Sequence, residues 1–189
     1  MSRATLLREK LLQKEATDHV SYTDIIIKAT VDALKQHLLL NSRLEGDAIK
    51  IFEKIHMGVA IALDQGLIVP VIRDVDEKPL LEIARASRTL IEKARRGALT
   101  LSEVAGGTFT ITNLGSFGVD VFTPILNPPQ SAILAVGRIA EKPVVVDSAI
   151  TIRRLMPLSL SFDHRVCDGA EAARFLQRVK ACLEDPAEN

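Results

Sequence analysis

The run Thr108-Phe109-Thr110-Ile111-Thr112 alternates polar and apolar side chains without a break. Extended backbone sends successive residues to opposite faces, so Phe109 and Ile111 point one way and three hydroxyls the other. A chain with such a strand needs a sheet that has at least one packed face. Further β-rich runs fall at residues 49–53, 58–63, 67–72, 131–139, 143–146 and 150–162. Asp64-Gln65-Gly66 reads as the turn between the second and third of these. Leu158, Leu160 and Phe162 share one face opposite Ser159 and Ser161.

Helical spacing is confined to three stretches. Ser21-Tyr22-Thr23-Asp24 has the form of a capping box, followed by the stripe Ile27, Val31, Leu34 and Leu38. Asp24, Lys28, Asp32 and Lys35 are expected on its wet side, and its end near Asn41. Pro79 opens a second helix striped by Leu80, Ile83, Ala84, Ile91 and Ala94 and closed by Gly97. Lys93, Arg95 and Arg96 suit the dipole at that end. A third helix follows Gly169, with Ala172, Phe175, Leu176, Val179 and Leu183 inward, and stops at Pro186. Many strands beside three or four helices predict an α+β fold, a mixed β-sheet covered by helices in a two-layer sandwich. No repeat or linker divides residues 1–189, which read as a single domain.

Composition excludes several classes. At 47% hydrophobic with 24 Lys+Arg against 24 Asp+Glu, the chain is neither disordered nor basic enough for a dedicated nucleic-acid binder. Two cysteines build no disulfide framework and no four-thiolate metal site, so a reducing, intracellular home is expected. No apolar run approaches the roughly 18 residues of a membrane span, and Arg3, Arg8, Glu9 and Lys10 lack the apolar core of a secretory signal. A net charge of zero fits a chain that hides surface in an oligomer.

Chemistry concentrates in Asp163-His164-Arg165-Val166-Cys167-Asp168-Gly169, where a strand gives way to a helix. Imidazole is the side chain best matched to moving protons near neutrality. Asp168, at the expected N-cap, can accept backbone N–H bonds and hold the turn that aims His164. The plainer alternative is a capped helix with a surface histidine beside it. Cys167 reads as small buried filler rather than a nucleophile. A metal held by Asp163, His164 and Cys167 would need His19, His37 or His56, which have no ligand-like spacing, so no metal is expected. Gly106 and Gly107 lack the Gly-Lys-[Ser/Thr] of a phosphate loop. Thr112 ends the hydroxyl face, where it could donate to a developing oxyanion; the alternative is a threonine in an edge strand. Pro128-Pro129-Gln130 is a rigid break before an apolar strand.

Together these segments resemble the catalytic domain of the dihydrolipoamide acyltransferases, the E2 cores of 2-oxoacid dehydrogenase complexes. Residues 163–169 reproduce that family's DHRxxDG motif, and 107–115 resemble its GGTFTISNLG strand. Residues 122–130, 157–162 and 58–73 continue the likeness, the last to GIAVDTPxGLIVPVIR, so that it covers nearly the whole chain. The resemblance implies a chloramphenicol acetyltransferase-like fold. It also implies homotrimers that build a hollow core of roughly 24 or 60 subunits, with active sites between neighbouring subunits. Coenzyme A would enter as a substrate from one end of a channel and dihydrolipoamide from the other.

On the same resemblance His164 is the general base, Asp168 supports the motif, and Thr112 stands where the family has an oxyanion-stabilising serine. The lipoyl group is expected on a domain this chain does not contain, and contacts with lipoyl domains and the E1 and E3 components through segments not present here. The opening helix and first strand of the catalytic domain are also expected to be absent, with an arginine that neighbours the DHRxxDG aspartate in relatives. Two other readings remain at this point: a scaffold core with impaired chemistry, and a stand-alone chloramphenicol-type acetyltransferase. Acetyl, succinyl and branched acyl groups are all open for the family; Leu114, Phe117 and Val119 offer no cation to a succinyl carboxylate, which favours acetyl.

Overall fold

The structure is a computed structural model that describes residues 1–14, 19–64 and 66–186. Its helices are α1 (Ser2–Lys14), α2 (Tyr22–Leu34), α3 (Leu80–Arg95), α4 (Leu101–Val104) and α5 (Gly169–Glu184). Its strands are β1 (Ser42–Glu45), β2 (Ala48–Ile51), β3 (Met57–Leu63), β4 (Gly66–Ile68), β5 (Val71–Ile72), β6 (Phe109–Asn113), β7 (Ala132–Val136), β8 (Ala140–Val146), β9 (Ala149–Leu155) and β10 (Leu158–Phe162). The main sheet runs β10-β7-β6-β3-β4, with β5 also on β3. β6 lies at its centre, parallel to both β3 and β7, while β10, β4 and β5 pair antiparallel. The expected mixed sheet with a helical cover is therefore present, and Thr112 stands in a central strand rather than an edge.

One face of the sheet carries the core. Phe109, Ile111, Leu134 and Met57 are fully buried and meet residues from α2 and α5; the Phe109 and Phe175 rings lie 5.8 Å apart. α2 packs on α5 and on α3, so Ile25, Ile26 and Ile27, which leave the helix in different directions, are all buried. Asp24, expected in solvent, is 2% exposed under the packed helices, with Oδ2 committed to the cap. It accepts from Ser21 N–H at 2.8 Å and Ser21 Oγ at 2.6 Å. Ser21→Ala should therefore cost about 1 kcal/mol, seen as a lower urea midpoint at unchanged m-value.

α2 stops at Leu34 rather than near Asn41; a short 3-10 turn, Leu38–Leu40, follows, and Leu38 is half exposed. α3 ends as expected, with Gly97 at φ +65° in a Schellman pattern: Gly97 N–H donates to Ala94 O at 3.1 Å and Ala98 N–H to Lys93 O at 2.9 Å. Lys93 is not simply solvated. It donates to Glu103 at 2.6 Å, and Glu103 also accepts from Thr100 N–H at 2.9 Å. Lys93 first, then Thr100, lowers the Glu103 carboxyl to about 2 from 4.5. A depressed carboxyl stabilises the fold above its unfolded pKa, and that stabilisation disappears as pH falls through the folded value. Glu103→Gln should thus flatten the stability–pH curve between 4.5 and about 2, as measured by chemical denaturation.

Three strand expectations are revised. Residues 67–72 form two short strands, split at Pro70, which has no N–H to give; its carbonyl instead accepts from Val59 N–H at 2.9 Å. Gln65, within the expected turn, lies outside the described residues. β2 pairs only with β1, which was not anticipated. β8 and β9 form a hairpin of their own rather than joining the sheet, and β10 separates from β9 at Met156-Pro157. α1 was also unanticipated. Among its described side chains the buried apolar ones are Ala4 and Leu7, a stripe too sparse to stand out among charges.

Candidate active site

β10 ends at Phe162, level with Ala132 of β7. Asp163 adds one more bond, its N–H donating to Ser131 O at 2.8 Å, and Ser131 N–H donates on to Ser42 O at 3.1 Å. The chain then turns: Asp163 O accepts from Val166 N–H at 3.0 Å and Cys167 N–H at 3.1 Å. Arg165 closes the turn from outside. Its Nε lies 3.0 Å from Asp163 Oδ1, a terminal nitrogen 2.7 Å from Oδ2, and its backbone N–H donates to Oδ1 at 3.0 Å. These bonds hold the Asp163 carboxyl below the ordinary carboxylate range.

His164, between the two stapled residues, is left projecting outward. Its ring is exposed, stands 5.7 Å from the Phe162 ring at a 36° tilt, and has no hydrogen-bond partner among the described residues. An imidazole with open nitrogens can exchange a proton with a molecule that arrives from outside.

Asp168 is the N-cap of α5, accepting from Glu171 N–H at 2.8 Å. That bond is the main reason its carboxyl lies below the usual range; Ala170 N–H, Arg174 and His164 add to it. Glu171 ties the first turn of α5 to the chain after α2 through His37 Nδ1 at 2.8 Å, and it also accepts from Arg174 within α5 at 2.9 Å. Cys167 is buried in the core, and burial pushes its thiol up, away from nucleophilic use. His56 Nδ1 accepts from Asp74 N–H at 3.1 Å, so neither His37 nor His56 joins His164. Among the described residues no group of three or more His, Cys, Asp or Glu is placed to hold a metal.

The three hydroxyls of β6 have different fates. Thr108 Oγ1 accepts from His56 N–H at 3.0 Å. Thr110 Oγ1 donates to Gln130 at 2.6 Å and accepts from Asn127 at 3.4 Å. Thr112 is half-buried, and its hydroxyl has no partner among the described residues. Its register neighbours are the small residues Ala60 and Ala135. A donor held on a central strand and not yet committed is what a developing oxyanion requires.

The structure does not bring Thr112 and His164 together within one chain. Thr112 is level with Ala135, Ala135 with Ser159, and His164 follows five residues beyond Ser159 toward the other end. Strand rise and spacing place the two groups on the order of 15–20 Å apart. Beyond Thr112 the chain carries the exposed apolar groups Phe117 (68%), Val121 (66%) and Ile125 (88%). This loop is fastened by Arg138, whose N–H donates to Val119 O at 2.8 Å and whose side chain pairs with Asp120. A side chain at Gly137 would strike Asp120 O, 1.8 Å from its Cβ. Sequence reasoning missed Ser131, Thr23 and the side chain of Asn113. For Asn113 a signal existed: an asparagine two residues before glycine at a strand end favours a turn that its own side chain closes.

Comparison with known proteins identifies the family and the fold. The family model described as 2-oxoacid dehydrogenases acyltransferase (catalytic domain) matches residues 1–189. The chain is 45% identical over 168 residues to the dihydrolipoyllysine-residue acetyltransferase component of the acetoin cleaving system of Bacillus subtilis, covering 89% of this chain and 42% of that protein. It is 40% identical over 189 residues to the dihydrolipoyllysine-residue succinyltransferase component of the 2-oxoglutarate dehydrogenase complex of Rickettsia typhi, covering 98% and 48%. The chain thus spans about half the length of the curated relatives it matches.

Among solved structures, Azotobacter vinelandii dihydrolipoamide acetyltransferase, studied for the role of a serine, a histidine and an asparagine in its mechanism, superposes with a TM-score of 0.91 at 38% identity. The match covers 97% of this chain and 76% of that one. The cubic core of a pyruvate dehydrogenase multienzyme complex matches with a TM-score of 0.91 at 40% identity and the same coverage. A chloramphenicol acetyltransferase, 15% identical with a TM-score of 0.57 and covering 86% and 78%, shares the fold alone. The chain belongs to the acyltransferase (catalytic domain) family of the 2-oxoacid dehydrogenases.

Proposed function

We propose that this chain transfers an acyl group between dihydrolipoamide and coenzyme A, at sites formed by His164 of one subunit and Thr112 of its neighbour. One observation carries the reading. The serine, histidine and asparagine studied in the Azotobacter vinelandii enzyme stand at the same intervals from one another as Thr112, His164 and Asp168. His164 takes the proton of the incoming thiol as its sulfur bonds to the thioester carbonyl carbon. The carbonyl oxygen becomes an oxyanion and accepts a hydrogen bond from the Thr112 hydroxyl. Collapse restores the carbonyl, breaks the bond to the leaving sulfur, and returns the proton from His164 to that sulfur. Asp168 does not touch the reacting atoms in this scheme; it positions the turn.

The separation of the two groups within one chain, and the exposed Phe117, Val121 and Ile125, support an assembly in which a second copy completes the site. The simplest such assembly is a homotrimer, the unit of a larger core. The lipoyl group would arrive on a domain outside these residues, and the surrounding complex would supply and reoxidise it. Between acetyl and succinyl we favour acetyl. Residues 114–122 carry a single charge, Asp120, which would repel a second carboxylate. Incubating the assembled protein with free dihydrolipoamide and either acetyl-CoA or succinyl-CoA tests this: faster S-acetylation is expected, and faster succinyl transfer would overturn the choice.

A further inference from the structure

The open hydroxyl of Thr112 is only as useful as its aim, and β6 leaves the sheet one residue later. Asn113 is the last residue of the strand, and its side chain alternates to the helical side. There its Nδ2 donates to Thr23 Oγ1 at 3.1 Å, in the first turn of α2. Its Oδ1 accepts from Gly115 N–H at 2.9 Å, closing a turn that bends the chain away from the sheet. Thr23 is itself well anchored, because the α2 cap beside it is the Ser21–Asp24 box with its buried carboxylate. The bend needs glycine at 115, where a Cβ would lie 2.7 Å from Gly137 O. Leu114 N–H continues the sheet to Val136 O at 3.1 Å. One amide therefore joins three things: the exit of the central strand, the first turn of a buried helix, and the loop that carries Phe117 and Val121.

We infer that Asn113 is a positioning residue for acyl transfer, fixing the Thr112 hydroxyl against the first turn of α2 through Thr23. The inference rests on the reading that Thr112 serves the oxyanion. Misplacing a reacting group by a fraction of an ångström lowers turnover without weakening substrate binding, so Asn113→Ala should lower kcat about tenfold with KM within about twofold. Thr23→Val, which removes one arm only, should lower kcat about threefold, and Thr23→Ser, which keeps the hydroxyl, should restore it.

The decisive measurement is a double-mutant cycle on the assembled protein, with kcat and KM read for acetyl-CoA and dihydrolipoamide, and urea unfolding run alongside. If Asn113 acts through Thr112, Asn113→Ala should cost little more once Thr112→Val is present. A kcat loss that multiplies in full onto that of Thr112→Val, or a kcat for Asn113→Ala within twofold of the unmodified protein while Thr112→Val is impaired, overturns the positioning role and leaves Thr112 standing. An unimpaired Thr112→Val overturns the oxyanion reading itself, and the inference with it. If Asn113→Ala does not assemble, the Thr23→Val and Thr23→Ser pair decides by the same comparison.

Discussion

His164→Ala lowers kcat for acyl transfer by about 10²- to 10⁴-fold, the range expected when a positioned acid–base group is removed. The expectation rests on how the turn is built. Asp163 and Arg165 hold each other across His164, and Asp168 caps the following helix, so the ring is presented by a rigid frame and takes no part in it. Removing the imidazole should therefore leave stability and subunit assembly unchanged while the thiol loses the group that accepts its proton. An unassisted thiol has a reference pKa of about 8.5, so little thiolate is present at neutral pH. The loss should shrink as pH rises toward that value, because hydroxide then does the work of the base. Stopped assays of the variant across pH read both effects. A turnover within twofold of the unmodified protein at neutral pH would place the proton transfer elsewhere.

The second large effect is expected at Thr112. Valine keeps the methyl and the β-branched shape that suits a central strand and removes only the donor. Because the Thr112 hydroxyl has no partner among the described residues, its loss leaves no buried partner there unsatisfied and should not destabilise the protein. The cost should appear in the transition state alone, about 2.7–4 kcal/mol, as for other single oxyanion donors. Thr112→Ser keeps the donor and should retain most of the activity. The corresponding changes at Thr108 and Thr110 should behave oppositely, because their hydroxyls are bonded to His56, Gln130 and Asn127 and serve the fold. A Thr112→Val variant with unchanged kcat would return this residue to a structural role.

Much of this architecture was legible in residue order. Period-two alternation located β6, and the resemblance extended the local motifs to the fold and to His164, Asp168 and Thr112. The capping box and Gly97 marked helix ends because their chemistry is local. What was not legible depended on partners distant in sequence. Asp24 looked like a solvated residue at helical spacing, and nothing local shows that α3 and α5 would close over its helix. Residues 143–146 and 150–162 read as strand, yet only the last part of the second run pairs with β7, because pairing is decided by where Met156-Pro157 lets the chain turn back. The separate fates of three hydroxyls on one strand depend on residues some twenty or fifty positions away. That Thr112 and His164 face different ends of the sheet could not be read from either motif; it follows from register.

The central claim is that one active site takes its base from one copy of the chain and its oxyanion donor from another. Co-assembling equal amounts of His164→Ala and Thr112→Val subunits tests it directly, since each variant alone is impaired and each retains what the other lacks. With random mixing in a closed ring, about one interface in four joins an intact His164 to an intact Thr112, so activity should return to about a quarter of that of the unmodified protein. Mixed assemblies no more active than the separate variants would contradict the account, because they would place both groups within the same chain.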